Sequence, residues 1–210
     1  MESGLYDNLV QRRLLVPHAE VTEANTDPSV RRILIPEQIR YISYPYEWSF
    51  GQMRDAALLT LEMQKLAMQY GMSLKDASSY NVQFRGSNPV FIDTLSFTQN
   101  DGGPWVAYNQ FCRHFAGPLL LMSRVAPDFN QFLRTSIEGF SLELTSRLLP
   151  ASTWLSLSIL LHIHLHARSR KKYGGARSPS TGSQRHPAAD PKPVLIDSLM
   201  GMLRGMHPGE

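Results

Sequence analysis

The stretch that decides the fold is Leu74-Lys75-Asp76-Ala77-Ser78-Ser79-Tyr80-Asn81, and Ile92-Asp93 follows it a short distance along the chain. Two segments rich in β-forming residues lie between Asn81 and Asp93, on either side of the turn Arg85-Gly86-Ser87-Asn88-Pro89. This pattern predicts a β-hairpin over residues 81–93. The two strands of a hairpin run antiparallel, so Asn81 and Asp93 are expected at the same end of it.

Asp76, Asn81 and Asp93 are the candidate functional residues of the chain. The carboxylate of Asp76 can accept or orient a hydroxyl proton, which makes it the candidate catalytic residue. The amide oxygen of Asn81 and the carboxylate of Asp93 are hard oxygen ligands of the kind that Mg²⁺ prefers. The alternative interpretation is turn and helix-cap chemistry, because Asp and Asn favour loops and helix ends.

A long, largely buried helix is predicted directly before this stretch. Ser49-Phe50-Gly51-Gln52 has the form of a capping box, apolar residues follow at helical spacing up to Tyr70, and Gly71 is suited to end the helix. Further helices are expected at 5–15, 105–121, 129–137, 142–149 and 153–166, with a short strand at 33–35. The predicted fold class is therefore α+β, dominated by helices and with one β-hairpin.

The chain divides into four predicted parts. Residues 1–40 form a partial N-terminal segment, and residues 41–167 form the helical domain that contains the hairpin. Residues 168–192 are rich in Gly, Ser, Pro, Arg and Lys and predict a disordered basic linker. Residues 193–210 predict a short terminal helix that is marginal by itself.

Charge and composition exclude several classes of protein. Seven of the 21 basic residues lie within 168–192, which indicates a solvated linker, and nucleic-acid binding is not expected. No apolar run approaches the ~18 residues that span a bilayer, and the start of the chain does not have the pattern of a signal peptide. The single cysteine, Cys112, excludes an internal disulfide framework. A cytoplasmic protein with no membrane contact is expected.

Two further groups of reactive residues are interpreted as structural. His162, His164 and His166 alternate along the chain, and a strand would point all three the same way, whereas a helix brings only His162 and His166 to one face. No Asp or Glu lies nearby to support a zinc site, so partly buried histidines are the favoured interpretation over metal binding. Cys112 is expected to be half-buried and unreactive.

Asp76, Asn81 and Asp93 resemble the catalytic-loop Asp, the Asn and the metal-binding Asp of protein-kinase-like and small-molecule phosphotransferase folds. The resemblance implies the C-terminal lobe of a kinase-like fold and Mg-ATP as a possible cofactor. The sequence departs from that pattern at Leu74-Lys75, where kinases carry His-Arg, and at Thr94-Leu95, where they carry Phe-Gly. No Gly-rich phosphate loop and no Val-Ala-Ile-Lys-like strand precedes Asp76.

A closer resemblance covers most of residues 5–167. Segments 44–50, 74–84, 89–97, 105–112 and 161–167 are similar to the N-terminal region of bacterial SAM-dependent methyltransferase-family proteins related to a nodulation protein. In that family a class I methyltransferase domain normally follows, which implies SAM as a cofactor of the family. No strand here leads into a Gly-rich turn, so no SAM site is expected in this chain.

Three functional hypotheses follow. The first is a truncated member of this methyltransferase family that contains the region before the SAM-binding domain and does not methylate alone. The second is a kinase-like Mg-ATP phosphotransferase, active or degenerate, that uses Asp76, Asn81 and Asp93. The third is a non-catalytic interaction module, with possible self-association through a surface exposed by truncation. The sequence does not identify a small-molecule or protein substrate.

Overall fold

The computed structural model describes residues 3–21, 30, 32–168 and 192–208. The predicted basic linker, apart from its end residues Arg168 and Lys192, lies outside the described residues.

The fold class is α+β and helix-rich, as predicted. The α-helices are α1 (Leu5–Gln11), α2 (Phe50–Gln69), α3 (Tyr108–Phe111), α4 (Gly117–Arg124), α5 (Leu142–Leu148), α6 (Leu157–Ile159) and α7 (Lys192–Arg204). The strands are β1 (His18–Val21), β2 (Ile33–Pro36), β3 (Met72–Leu74), β4 (Val82–Arg85), β5 (Asn88–Phe91) and β6 (Phe97–Gln99). Cys112–Ala116 and Leu160–Leu165 are π-helical, and Pro45–Glu47, Ser79–Asn81, Thr94–Ser96, Pro127–Arg134 and Ala151–Leu155 are 3-10 turns. Among the described residues, no helix has the length and hydropathy that crossing a bilayer requires.

Helix α2 forms the centre of the core, and its predicted boundaries are confirmed. The Ser49 hydroxyl accepts a hydrogen bond from the Gln52 backbone amide, and the Gln52 side chain accepts one from the Ser49 amide, which completes the capping box. Gly71 has a φ of 68°, in the left-handed region that ends helices, so the chain can turn directly into β3. Met53, Leu61 and Met63 of α2 are fully buried.

The structure contains more β-structure than the single predicted hairpin. The described residues form three antiparallel two-stranded sheets. β4 pairs with β5 as predicted, with Val82 opposite Phe91, while β1 pairs with β2 and β3 pairs with β6. β3 and β6 each have three residues, which is too short for a visible alternation of apolar and polar side chains. The two strands are also separated in sequence by the whole β4–β5 hairpin, so no local sequence pattern predicts that they pair.

The helix predicted over 5–15 is shorter than expected, and the helices predicted over 105–121, 129–137 and 153–166 are partly wound as π or 3-10 helix. The helix predicted over 5–15 ends at Gln11, because Arg13 adopts a left-handed φ of 59°. The chain then runs beside β5, where the Val16 amide donates to the Phe91 carbonyl over 2.9 Å and the Phe91 amide donates to the Leu14 carbonyl over 2.8 Å. The helix predicted over 129–137 is a 3-10 helix over Pro127–Arg134.

The predicted terminal helix is present as α7, and it packs against α2. Ile196, Leu199 and Leu203, which share one face of α7, are fully buried. The Lys65 ammonium group of α2 lies 2.8 Å from the Asp197 carboxylate of α7. Packing on the core therefore supplies the stability that a helix of this length does not have alone.

Candidate functional site

The order of the strands brings two loops together at one end of the two central sheets. Loop 75–81 connects β3 to β4, and loop 92–96 connects β5 to β6. β4 pairs with β5, and β3 pairs with β6 around them. The Lys75 amide donates to the Ser96 carbonyl over 2.8 Å, and the Ile92 amide donates to the Asn81 carbonyl over 2.9 Å. The two loops are therefore linked at both of their ends.

The side chains of Asn81 and Asp93 meet at Ser96, which is buried. The Ser96 hydroxyl donates to Asp93 Oδ2 over 2.6 Å and accepts from Asn81 Nδ2 over 3.2 Å. Asp93 Oδ1 also accepts from the Leu95 amide over 2.9 Å, so this carboxylate caps the 3-10 turn that follows it. The structure thus brings two of the three candidate residues, Asn81 and Asp93, to the Ser96 hydroxyl. The Asp93 carboxylate also caps a turn, which is the role that the alternative interpretation predicted.

Asp76 lies at the start of loop 75–81, directly after the link between Lys75 and Ser96. Its Oδ1 accepts a hydrogen bond from the Ser78 amide over 2.9 Å, which is an Asx turn, and its side chain is half-buried. The turn fixes the carboxylate at the entrance of the loop.

Helix α3 and the π-helical turn after it bind the backbone of loop 75–81 through two side chains. The Ala77 amide donates to Gln110 Oε1 over 2.7 Å, and the Ser79 amide donates to His114 Nδ1 over 3.4 Å. The Ser79 hydroxyl lies 3.2 Å from the same His114 nitrogen. Because Nδ1 accepts from a backbone amide, His114 is in the neutral form that carries its proton on Nε2.

His114 is buried, and its surroundings keep it neutral. The pKa of His114 is lowered to about 4, mainly by burial and then by the neighbouring Arg113, while the Asp76 carboxylate acts in the opposite direction. Gly139 makes this close packing possible, because a Cβ atom at that position would lie 2.7 Å from the Arg113 carbonyl oxygen and 3.0 Å from the His114 ring. Any side chain at residue 139 would therefore displace the backbone of the π-helical turn that carries His114.

Sequence reasoning did not identify Ser96, Gln110 or His114 as parts of this site. Gln110 and His114 act on residues more than 30 positions earlier, and a polar residue at helical spacing gives no sign of such a partner. Ser96 could have been noticed from its place three residues after Asp93, where a hydroxyl can bond an Asx side chain.

A cavity of about 400 Å³ adjoins the two loops. Lys75 and Thr94 line it from the two loops, and α1 closes the other side with Leu5 and Tyr6. The cavity gives a small ligand access to the side of the loops that carries Lys75.

His162 and His164 are buried more completely than the partial burial that was predicted, and each bonds to hydroxyl groups of other elements. His162 lies 2.8 Å from the Tyr108 hydroxyl through Nδ1 and 3.0 Å from the Ser198 hydroxyl through Nε2. Burial, and then the nearby His166, lower the pKa of His162 to about 4.

His164 is also buried in the core, with hydrogen-bond partners for both of its ring nitrogens. Its Nδ1 lies 2.7 Å from the Ser146 hydroxyl, its Nε2 lies 3.0 Å from the Thr153 hydroxyl, and its ring stacks on Trp154 at 4.0 Å. Both ring nitrogens therefore bond to hydroxyl groups, so neither is available as a metal ligand. Among the described residues, no group of three or more His, Cys, Asp or Glu side chains is arranged to hold a metal ion.

Cys112 is fully buried, not half-buried as expected from its spacing. Burial raises the pKa of the Cys112 thiol to about 12, with a hydrogen bond to Tyr108 acting in the opposite direction. The thiolate, which is the nucleophilic form, is therefore disfavoured.

The chain has a homologue among curated proteins. Over 158 residues, which make up 75% of this chain, it is 37% identical to the nodulation protein NoeA of Rhizobium meliloti strain 1021. The chain spans about a third of the length of that relative (33%). No protein-family model and no solved structure matches the chain.

Proposed function

We propose that loops 75–81 and 92–96 form a site for a magnesium-bound nucleotide and that the site serves phosphoryl transfer. The observation that carries this proposal is the convergence of Asn81 and Asp93 on the Ser96 hydroxyl, at the linked ends of the two loops. The same residue types at this spacing bind the metal and orient the attacking hydroxyl in kinase-like phosphotransferases.

The donor set fits Mg²⁺ and does not fit zinc. Mg²⁺ binds through one or two carboxylates, keeps several waters and takes its other ligands from substrate phosphates, so it needs no cluster of three acids. Asp93 supplies a carboxylate, and Asn81, whose Nδ2 donates to the Ser96 hydroxyl, would supply its amide oxygen as a second ligand. When bound, the ion would offset the charge of the phosphates.

Asp76 and Lys75 have separate roles in this proposal. Asp76, held by its Asx turn, orients and accepts the proton of the attacking hydroxyl group. Lys75 lines the adjoining cavity, where its ammonium group attracts phosphate oxygens. Lys75 is the cationic residue that loop 75–81 itself contains.

Thermal unfolding with and without Mg-ATP tests the binding site. We expect ATP to raise the melting temperature only when Mg²⁺ is present, and Asp93→Asn to abolish that increase because it removes the ligand charge. Asp101→Asn, which removes an exposed carboxylate outside the two loops, is the matched control and keeps the increase. An unchanged melting temperature for the wild-type chain with Mg-ATP would refute the proposal.

Asp76→Asn separates an active site from a degenerate one. We expect this variant to keep the Mg-ATP-dependent increase in melting temperature, since Asp76 is not a proposed metal ligand. Release of inorganic phosphate from ATP by the wild-type chain, measured against Asp76→Asn, then reports transfer to water. If phosphate release is equal in both proteins, or absent from both, the loops bind Mg-ATP but do not catalyse its hydrolysis.

We further propose that the chain corresponds to the region before a SAM-dependent methyltransferase domain in longer relatives, and that it does not methylate by itself. Support comes from the homology to a nodulation protein more than twice as long, and from the strand pairing. All three sheets of the described residues are antiparallel, whereas a class I SAM site needs a parallel strand that leads through a Gly-rich turn into a helix. Calorimetric titration with SAM is expected to show no binding, and a saturable heat would contradict this assignment.

A further inference from the structure

One face of the molecule exposes apolar side chains in a continuous row. Leu157, Leu161 and Leu165 follow one another every fourth residue along α6 and the π-helical turn after it, and all three are exposed. Leu155 precedes the row with 90% of its surface exposed, and Val194 at the start of α7 is 73% exposed. We call these five residues the leucine face.

The leucine face carries no charge. Residues 148–167 contain no Asp, Glu, Lys or Arg. This stretch therefore offers a charged partner no group to pair with, while the same stretch of a second copy would meet no like charge on it. Exposed apolar patches without charge are typical of sites that are covered in the working state of a protein.

A groove of about 630 Å³ lies directly beside the row of leucines. Trp105, Tyr108 and Leu195 line it from α7 and from the segment at the start of α3, and Leu161 and Val194 form its rim. The same surface thus presents a ridge of leucines and, beside it, a hollow lined mainly by apolar side chains, with His162, Lys192 and Ser198 as its polar members.

We propose that the leucine face is the contact surface of a two-fold symmetric dimer of this chain. In a two-fold contact each copy offers the same surface, so a ridge on one copy needs a groove on the other, and the surface must contain both. The leucines at intervals of four residues form the kind of ridge that packs into the groove of a neighbouring helix. The ridge of each copy would enter the groove of its partner.

The exposed area is sufficient for a weak dimer. The five side chains together present on the order of 600 Å² of apolar surface per copy, which approaches the ~800 Å² per partner of a standard interface. We therefore expect an equilibrium between monomer and dimer that depends on protein concentration.

Sedimentation equilibrium of the full chain, up to about 100 µM, tests this inference. We expect the wild-type chain to approach dimer mass as its concentration rises and Leu157→Glu to stay monomeric, because a charge would be buried at the contact. Ile137→Glu is the matched control: Ile137 is 68% exposed, Leu157 is 69% exposed, and Ile137 lies outside the leucine face. Equal far-UV spectra and melting temperatures confirm that both variants fold.

A mixed-charge experiment tests the symmetry of the contact. Leu161→Glu and Leu161→Lys are each expected to be monomeric, and an equimolar mixture is expected to regain dimer mass, because opposite charges meet across the contact. A wild-type chain that stays monomeric at the highest concentration overturns the inference, as does association that continues beyond two copies. Monomers that cosediment with phosphatidylserine vesicles would instead assign the leucine face to a lipid surface.

Discussion

The paired loops 75–81 and 92–96 and the histidine-containing helix 157–168 both contain side chains that could do chemistry, and the structure treats them in opposite ways. In the loops, Asp76 and Asp93 are half-buried, and their carboxylates bond mainly to groups of the loops themselves. In the helix, His162 and His164 are buried, and both nitrogens of each ring lie against hydroxyl groups from other elements.

The two regions differ in whether their polar atoms still have lone pairs available for a ligand. A carboxylate that caps a turn at the protein surface still has lone pairs that can reach a metal ion or a substrate. A buried imidazole with two hydroxyl partners has none, and its removal leaves those partners without a hydrogen bond. The loops are therefore the better candidate for function, and the histidines act as polar parts of the core.

The strongest test of the structural histidines is His164→Ala. This change removes the stack on Trp154 and takes a partner from the buried Thr153 hydroxyl and from the half-buried Ser146 hydroxyl, so we expect a loss of about 3 kcal/mol in the free energy of unfolding. Urea denaturation measures it, and His207→Ala, at an exposed position near the end of the chain, is the control. If zinc stabilised the wild-type chain but not the variant, the histidines would be ligands after all.

The second test is the dependence of stability on pH. The ordinary pKa of histidine is about 6.5, while that of His114 in the folded chain is about 4. Between these values the unfolded chain binds more protons than the folded one, so stability falls as the pH is lowered through this window.

We expect His114 to contribute about 2 kcal/mol to that loss between pH 7 and pH 4.5. His114→Asn should reduce the pH dependence by this amount, whatever its effect on stability at pH 7, and His207→Asn should leave it unchanged. A His114→Asn chain with the full wild-type pH dependence would show that His114 is not held neutral behind the loop.

The smallest expected effect concerns Ser96. Ser96→Ala removes the hydroxyl that joins Asn81 to Asp93, and we expect a loss of about 1 kcal/mol in the free energy of unfolding. Ser87→Ala, at the exposed turn of the β4–β5 hairpin, is the matched control. Denaturation curves of the two variants that coincide would mean that the two loops are not joined through this hydroxyl.

The parts of the fold that local chemistry specifies could be predicted from the sequence. The capping box at Ser49 and Gln52, the left-handed Gly71 and the β4–β5 hairpin are each encoded within a few residues, because capping and turn formation are local interactions. The meeting of Asn81 and Asp93 followed from the hairpin, since antiparallel strands return the chain to its starting end.

The parts that depend on distant contacts could not be predicted. The pairing of β3 with β6 and the packing of α7 on α2 join segments separated by many residues, and neither segment alone is long or periodic enough to show its partner. Gln110 and His114 reach loop 75–81 only because α3 and its π-helical turn pack behind that loop.

The sequence by itself determined the helix-rich α+β class, the central helix, the hairpin, and the presence of Asn81 and Asp93 at one end of it. Only the tertiary structure decided that a second antiparallel pair encloses the hairpin and links the two loops, that the histidines are satisfied within the core, and that a row of leucines remains outside it. The physical reason is range: caps and turns are settled between neighbours in the chain, whereas burial and hydrogen-bond partners are settled by whatever the folded chain brings alongside.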